Sequence, residues 1–253
     1  MHPSSSFADL KAAARAGLNG HYRTAILAFF YTSILCMLPP YIALILFPGN
    51  TLFSLIASQI ASLILGSIFG ILQAGLLLVF LKLNRRQQAS VLDLFWGFRN
   101  SRNAALEISL VFTLLEYVCQ LPVTVLSYTP FFSAGTVSAN LCLLLLGIGT
   151  RLAAFLFSLP LIQSYFLLLD HPQYTGKEAM KESIRLMKGH CLSYALLLFS
   201  FLPIILLSML SLGIGLLWVM PYMVSTRASF YVDLTRKDGV CQDEKVEGAE
   251  GLL

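Results

Sequence analysis

The chain has 253 residues, 57% of them hydrophobic and 12% charged, with a mean hydropathy of +0.76. That leaves too little polar surface to wrap a soluble domain of this size, and it predicts an all-α, polytopic membrane protein. A net charge of +4 would hint at nucleic acid in a soluble protein, but no basic patch is interleaved with aromatics, so no nucleic-acid partner is expected and the basic residues are assigned to the membrane face.

Met1 to Gly20 holds no apolar core and no small-residue cleavage site, so no cleaved signal peptide is expected, and the first span serves as its own insertion signal. Crossing the hydrocarbon takes about 20 residues at 1.5 Å each. Apolar runs of that length lie at 24–47, 52–81, 104–128, 138–169, 192–211 and 213–234, which gives six transmembrane helices. The connectors 48–51, 129–137 and 211–213 carry no Lys or Arg. Of the 17 basic residues, 16 lie at the other ends of the spans, including those around and beyond the end of the sixth, and the remaining one is Arg151. By the positive-inside rule both termini and both long loops are cytoplasmic, and the lipid partner is a bilayer with an anionic cytoplasmic leaflet.

In the second span Ser54, Ser58, Ser62, Gly66, Gly70 and Ala74 recur every fourth residue. They form a small-residue face on which another helix can approach closely, assigned to the protein's own bundle ahead of a homodimer, with Ser62, Gly66 and Gly70 at its centre. The span's roughly 30 residues make about 45 Å, so it must tilt, kink or protrude. Pro39, Pro40, Pro122, Pro160, Pro203 and Pro221 place kinks in five of the six spans.

An internal repeat accompanies this layout. Ser6-Phe-Ala-Asp9, Ser90-Val-Leu-Asp93 and Thr175-Gly-Lys-Glu178 are helix-capping tetrads, 84 and 85 residues apart. Each precedes a short amphipathic stretch with Arg15, Arg99 or Arg185, then a break, then two spans. Leu18-Asn-Gly-His21 and Met187-Lys-Gly-His190 are the closest echo. The expectation is a pseudo-threefold bundle of units 6–83, 90–169 and 175–234, each a cytoplasmic interfacial helix plus a membrane hairpin, within a single membrane domain over 1–234. The polar stretch 235–253 is expected to be a disordered cytoplasmic tail. In the third interfacial helix Lys177, Lys181, Arg185 and Lys188 share one side, and Met180, Ile184 and Met187 line the other. Such a helix suits the surface of an anionic leaflet.

The last third also carries Leu159-Pro160 with Tyr165, Glu178-Ala179, Ser183 with Arg185, Met187-Lys188-Gly189-His190, Leu212-Gly213-Ile214-Gly215, Pro221-Tyr222, and Phe230-Tyr231 with Asp233-Leu234. On these residues the chain resembles a bacterial family of integral membrane proteins, domain of unknown function family 975, itself related to the membrane domain of some glycerophosphodiesterases. The remainder matches in layout. Where that family shows a Gly-Trp pair after Ser200-Phe201, this chain has Leu202-Pro203-Ile204. The resemblance implies a fold, a bacterial cell-membrane compartment and the motif positions Gly189, His190, Pro221 and Tyr222, but no reaction.

A hydrolase would need an activated nucleophile or a metal-bound water. HExxH, GxSxG, a Gly-rich phosphate loop and paired intramembrane aspartates are absent from the sequence, so no enzyme activity and no cofactor is expected. Cys36, Cys119, Cys142, Cys191 and Cys241 stand singly and read as reduced packing residues. His21, His171 and His190 map to the cytoplasmic boundary without a ligand spacing, so no metal site is assigned. Gln59, Gln73, Gln120 and Gln163 read as interhelical hydrogen-bond partners.

The remaining chemistry lies in Glu116, 12 residues into the third span, and Arg151, 13 residues into the fourth. Both sit roughly 18–20 Å deep on antiparallel neighbours. Each alone costs about 2.5–3.5 kcal/mol, so an ion pair facing the bundle interior is expected, acting as a register lock or as the charged lining of a path. The function that fits best is a non-enzymatic membrane scaffold or accessory protein of the envelope, with a membrane-protein partner. The alternative is a carrier for a small or lipidic solute with kinked helices and a polar centre at Glu116 and Arg151. A carrier requires a polar cavity near the midplane, whereas a scaffold is packed shut.

Overall fold

The computed structural model describes residues 6–49, 51–129, 132 and 136–237. Among them the regular structure is helical: α1 (Phe7–Leu18), α2 (Tyr22–Leu46), α3 (Leu52–Asn84), a 3-10 turn at Val91–Phe95, α4 (Trp96–Arg99), α5 (Arg102–Ser127), α6 (Val137–Ser158), a 3-10 turn at Leu159–Leu161, α7 (Ser164–Asp170), α8 (Gly176–Met187), α9 (Cys191–Phe199), α10 (Leu202–Leu210) and α11 (Leu216–Lys237).

Five stretches among the described residues are long and apolar enough to cross a membrane: α2, α3, α5, the run from α6 through α7, and α9 with α10. The sixth expected span, α11, falls short of that standard, because Arg227, Asp233, Arg236 and Lys237 lie within it. The helix also continues past Thr235 to Lys237, so residues 235–237 are helical where a disordered tail was expected, and residues 238–253 lie outside the described part of the chain. Pro39, Pro40, Pro122 and Pro221 sit inside continuous helices. Pro160 and Pro203 instead mark restarts, at the second 3-10 turn and at the first turn of α10, where a missing amide is harmless.

The three tetrads all form reciprocal caps. Ser6, Ser90 and Thr175 accept from the helix start, while Asp9, Asp93 and Glu178 accept from the cap's own amide. Two of the breaks share one geometry. After α1, Asn19 is extended and Gly20 takes φ +82; after α8, Lys188 is extended and Gly189 takes φ +85. Only glycine adopts that left-handed backbone without strain. In both turns a histidine follows, with His21 donating to Leu18 and His190 to Met187, each at 2.9 Å.

Packing of the short helices follows one scheme. α1 buries Leu10, Ala14, Gly17 and Leu18, chiefly against α11; the first 3-10 turn and α4 lie along α3; α8 buries Gly176, Ala179, Ser183, Leu186 and Met187 against α5, α7 and the second 3-10 turn. Ile184, assigned by the sequence pattern to the apolar side of α8, is half exposed instead. Small residues take its place because the neighbouring backbone comes so close: a Cβ at Gly176 would stand 2.8 Å from the Ala104 carbonyl oxygen. Ser183 seals the same contact, donating to the Pro160 carbonyl at 2.7 Å and accepting from the Gln163 amide at 3.2 Å.

At the end of α3, Asn84 ties three helices together. Its Nδ2 donates to the Ser225 carbonyl at 2.8 Å, its Oδ1 accepts from the Ser229 hydroxyl at 3.2 Å, and Ser225 in turn donates to Ala14 of α1 at 3.3 Å. One level away, Asp170 accepts from Arg85 and from the Tyr231 hydroxyl, both at 2.8 Å.

After α10, Gly213, Leu216, Leu217 and Met220 line a small recess together with Ile26, Phe29 and Phe30 of α2. From Phe30 to the end of α2 at Leu46 is about 24 Å of helix. Over that half one face of α2 is uncovered, with Met37, Tyr41, Leu44 and Ile45 exposed, while Pro39 and Ala43 on the other face are buried.

A polar cleft between the long helices

α2, α3, α5 and α6 pack side by side in chain order, whereas α2 and α6, at the two ends of that series, share no comparable contact among the described residues. Between them lies a half-open cleft of about 670 Å³. One wall is Cys36, Pro39 and Pro40 of α2; the other is Ala154, Phe155 and Ser158 of α6. α3 and α5 form the back, and Tyr165 and Arg227 line its lower part. Along α3 the lining runs from Gln59 to Leu77, about 27 Å of helix.

The small-residue face of α3 makes this back wall. At Gly70 a Cβ would stand 2.0 Å from the Ser109 hydroxyl, which donates to the Ser67 carbonyl at 2.7 Å. At Gly66 the nearest neighbour is a Thr113 methyl at 3.4 Å, and Ser62 lies beside the Tyr117 hydroxyl. Ser62, Gly66 and Gly70 therefore serve two purposes. They let α5 approach, and they keep bulk out of the cleft.

Arg151 and Glu116 meet there. The guanidinium donates to Glu116 Oε1 at 3.3 Å, with side-chain exposures of 70% and 58%. The pair lines the cleft with both side chains more than half exposed, where a pair facing the bundle interior was expected. Gln59, Gln73 and Gln120 also line the cleft. Gln120 accepts from Thr150 at 3.5 Å while its amide nitrogen is buried without a partner, and the Gln73 amide faces only the Cys36 sulfur at 3.8 Å. Gln163 lies elsewhere, against Met187 of α8.

Arg227 is the residue that the sequence pattern conceals, since it counts there among the basic residues around the end of the last span. It stands in the middle of α11, 10 residues before Lys237. Ser225 and Ser229 on either side hold α11 to the end of α3, and this aims Arg227 into the lower end of the cleft. Its Nε is buried without a hydrogen-bond partner, and the buried Tyr194 hydroxyl lies beside the guanidinium. The signal that could have found it is depth, because a basic residue 14 positions past the start of the expected span 213–234 cannot be reckoned with the flanking charges.

The other sequence-derived positions lie away from the cleft. Lys177, Lys181, Arg185 and Lys188 are exposed on α8, and Arg185 pairs with Glu182. Gly189 and His190 form the turn into α9, Pro221 lies inside α11, and the Tyr222 hydroxyl donates to the Lys11 carbonyl at 3.3 Å. His171 stacks on Tyr174. Among the described residues no three His, Cys, Asp or Glu side chains gather as metal ligands, and Cys36, Cys119, Cys142 and Cys191 are free thiols. Cys241 lies outside the described residues.

The family model described as a protein of unknown function, DUF975, matches residues 1–238. The chain belongs to the DUF975 family. No curated protein and no solved structure matches it. The match runs from α1 to the end of α11, so every wall of the cleft lies within the DUF975 region.

Proposed function

We propose that this DUF975 protein is a non-enzymatic carrier of the bacterial cell membrane that takes an amphiphilic solute into the cleft. The observation that carries this reading is the cleft itself, about 670 Å³, half open, and lined by glutamines and by the Glu116–Arg151 pair. A packed scaffold has no use for underused amides and a charge pair along such a cleft, since each polar group in hydrocarbon needs a partner. The gap between α2 and α6 lies between surfaces rich in exposed Leu, Ile and Phe. A lipid-like molecule could therefore reach the cleft sideways from the bilayer.

The proposed architecture has three units, each a short capped helix and a hairpin. Three reciprocal caps and the shared Gly20 and Gly189 turns support it. So does the common buried register, in which Leu10, Ala14, Gly17 and Leu18 of α1 recur as Ala179, Ser183, Leu186 and Met187 of α8. Both termini are cytoplasmic in this reading, and the exposed Lys177, Lys181 and Lys188 hold the anionic leaflet.

The test is to fill the cleft. In Ala154→Trp an indole projects from α6 into it. Binding of a fluorescent phospholipid to the detergent-purified protein is expected to weaken several-fold, with thermal unfolding showing an intact fold. Unchanged binding in a folded Ala154→Trp protein would return the assignment to a scaffold.

A further inference from the structure

Arg227 has no carboxylate partner among the described residues. Glu116, the carboxylate on the same cleft lining, is engaged by Arg151, and Asp170 by Arg85 and Tyr231. A guanidinium stays charged at any physiological pH, and a buried charge without a counter-charge is costly. A fold retains such a group most readily when something else supplies the negative charge. Arg227 is half buried, lines the lower end of the cleft, and is backed by the fully buried Tyr194 hydroxyl. The planar fork of a guanidinium matches the two oxygens of a phosphodiester or a carboxylate.

We infer that Arg227 is the seat for an oxyanion and that the solute taken by the cleft is an anionic amphiphile, its headgroup on Arg227 and its chains leaving between α2 and α6. The inference rests on the carrier reading and names its substrate class. Chemistry alone would admit a free phosphate as well. The lateral opening favours the lipid, because apolar Pro39 and Pro40 of α2 and Ala154 and Phe155 of α6 line the two sides of the route that acyl chains would follow. The Glu116–Arg151 pair is already neutral, so Arg227 supplies the net positive charge of the cleft.

The experiment uses the full-length protein in detergent, titrated with phosphatidylglycerol and with phosphatidylcholine, with bound lipid read by native mass spectrometry. The wild type is expected to prefer phosphatidylglycerol by roughly tenfold, the scale of one charge-assisted hydrogen bond. Arg227→Gln is expected to abolish that preference while still binding phosphatidylcholine. A folded Arg227→Gln protein that keeps the preference overturns the oxyanion seat but leaves the cleft intact. The cleft reading itself fails separately, if Ala154→Trp binds both lipids as the wild type does. Should Arg227→Gln not fold, Arg227→Lys and the wild-type headgroup series decide: no preference in the wild type, or equal loss of both lipids in Arg227→Lys, overturns the proposal. Millimolar inorganic phosphate should not displace phosphatidylglycerol. Displacement would overturn the lipid as the source of the anion.

Discussion

The sharpest test of the packing lies at Gly75 on α3, where the first 3-10 turn crosses the helix. A Cβ at Gly75 would stand 1.9 Å from the Leu94 carbonyl oxygen and 2.3 Å from its carbonyl carbon. These are backbone atoms, so no rotamer change relieves the clash, and the 3-10 turn must move away by over an ångström. That movement also strains the Lys82–Asp93 pair at 2.9 Å and the contact of Gly97 with Ile71. Gly147 on α6 is the control, because nothing lies within 4 Å of its Cβ position. Alanine there gains up to about 1 kcal/mol in helix propensity. At Gly75 the same gain is outweighed by overpacking of about 1–3 kcal/mol. The propensity gain is common to both variants, so the expected gap between Gly75→Ala and Gly147→Ala is the overpacking alone, about 1–3 kcal/mol, or about 2–12 °C in midpoint for a chain of this size. Thermal unfolding of the two variants in the same detergent measures it. Equal shifts, or a stabilised Gly75→Ala protein, would refute the close crossing of α3 by the 3-10 turn.

Three further outcomes follow from the polar contacts. Arg151→Glu sets two carboxylates side by side on α5 and α6 and should destabilise the protein, whereas Glu116→Arg with Arg151→Glu should restore it; the coupling is about 0.2–1 kcal/mol if the cleft is wet, and a cycle with no coupling would dissolve the pair. Asp170→Asn weakens the charge-assisted bond from Arg85, and a loss of about 2 kcal/mol is expected in chemical denaturation, against about 1 kcal/mol for Tyr231→Phe. At the start of α8 the Thr175 amide and hydroxyl hold the Glu178 carboxyl below the usual carboxylate range. A depressed pKa means that the cap's contribution is fully present above the unfolded-state value and is lost as pH falls through the folded one. Stability of the wild type should therefore drop on acidification in a way that Glu178→Gln does not share, and identical acid profiles would count against the cap.

How far the sequence reaches is clearest in the caps and turns. Ser6, Ser90 and Thr175 cap, and Gly20 and Gly189 turn, because those features depend on a few consecutive residues and on local sterics alone. Apolar length likewise marks the long helices, since the bilayer imposes one dimension on every span. The small-residue face of α3 is also visible, as its four-residue spacing follows from helix geometry. Three matters were decided only by the tertiary structure. Ile184 lies exposed because the closeness of α8 to α5 and α7 selects glycine, alanine and serine for the contact, and periodicity cannot measure that distance. Glu116 and Arg151 are brought together but stay more than half exposed, because whether another helix covers them depends on how the helices pack around α5 and α6, which depth along the sequence does not encode. Arg227 faces the cleft because Asn84 fixes the rotation of α11 through Ser225 and Ser229, a contact between residues 141 and 145 positions apart that no local pattern encodes.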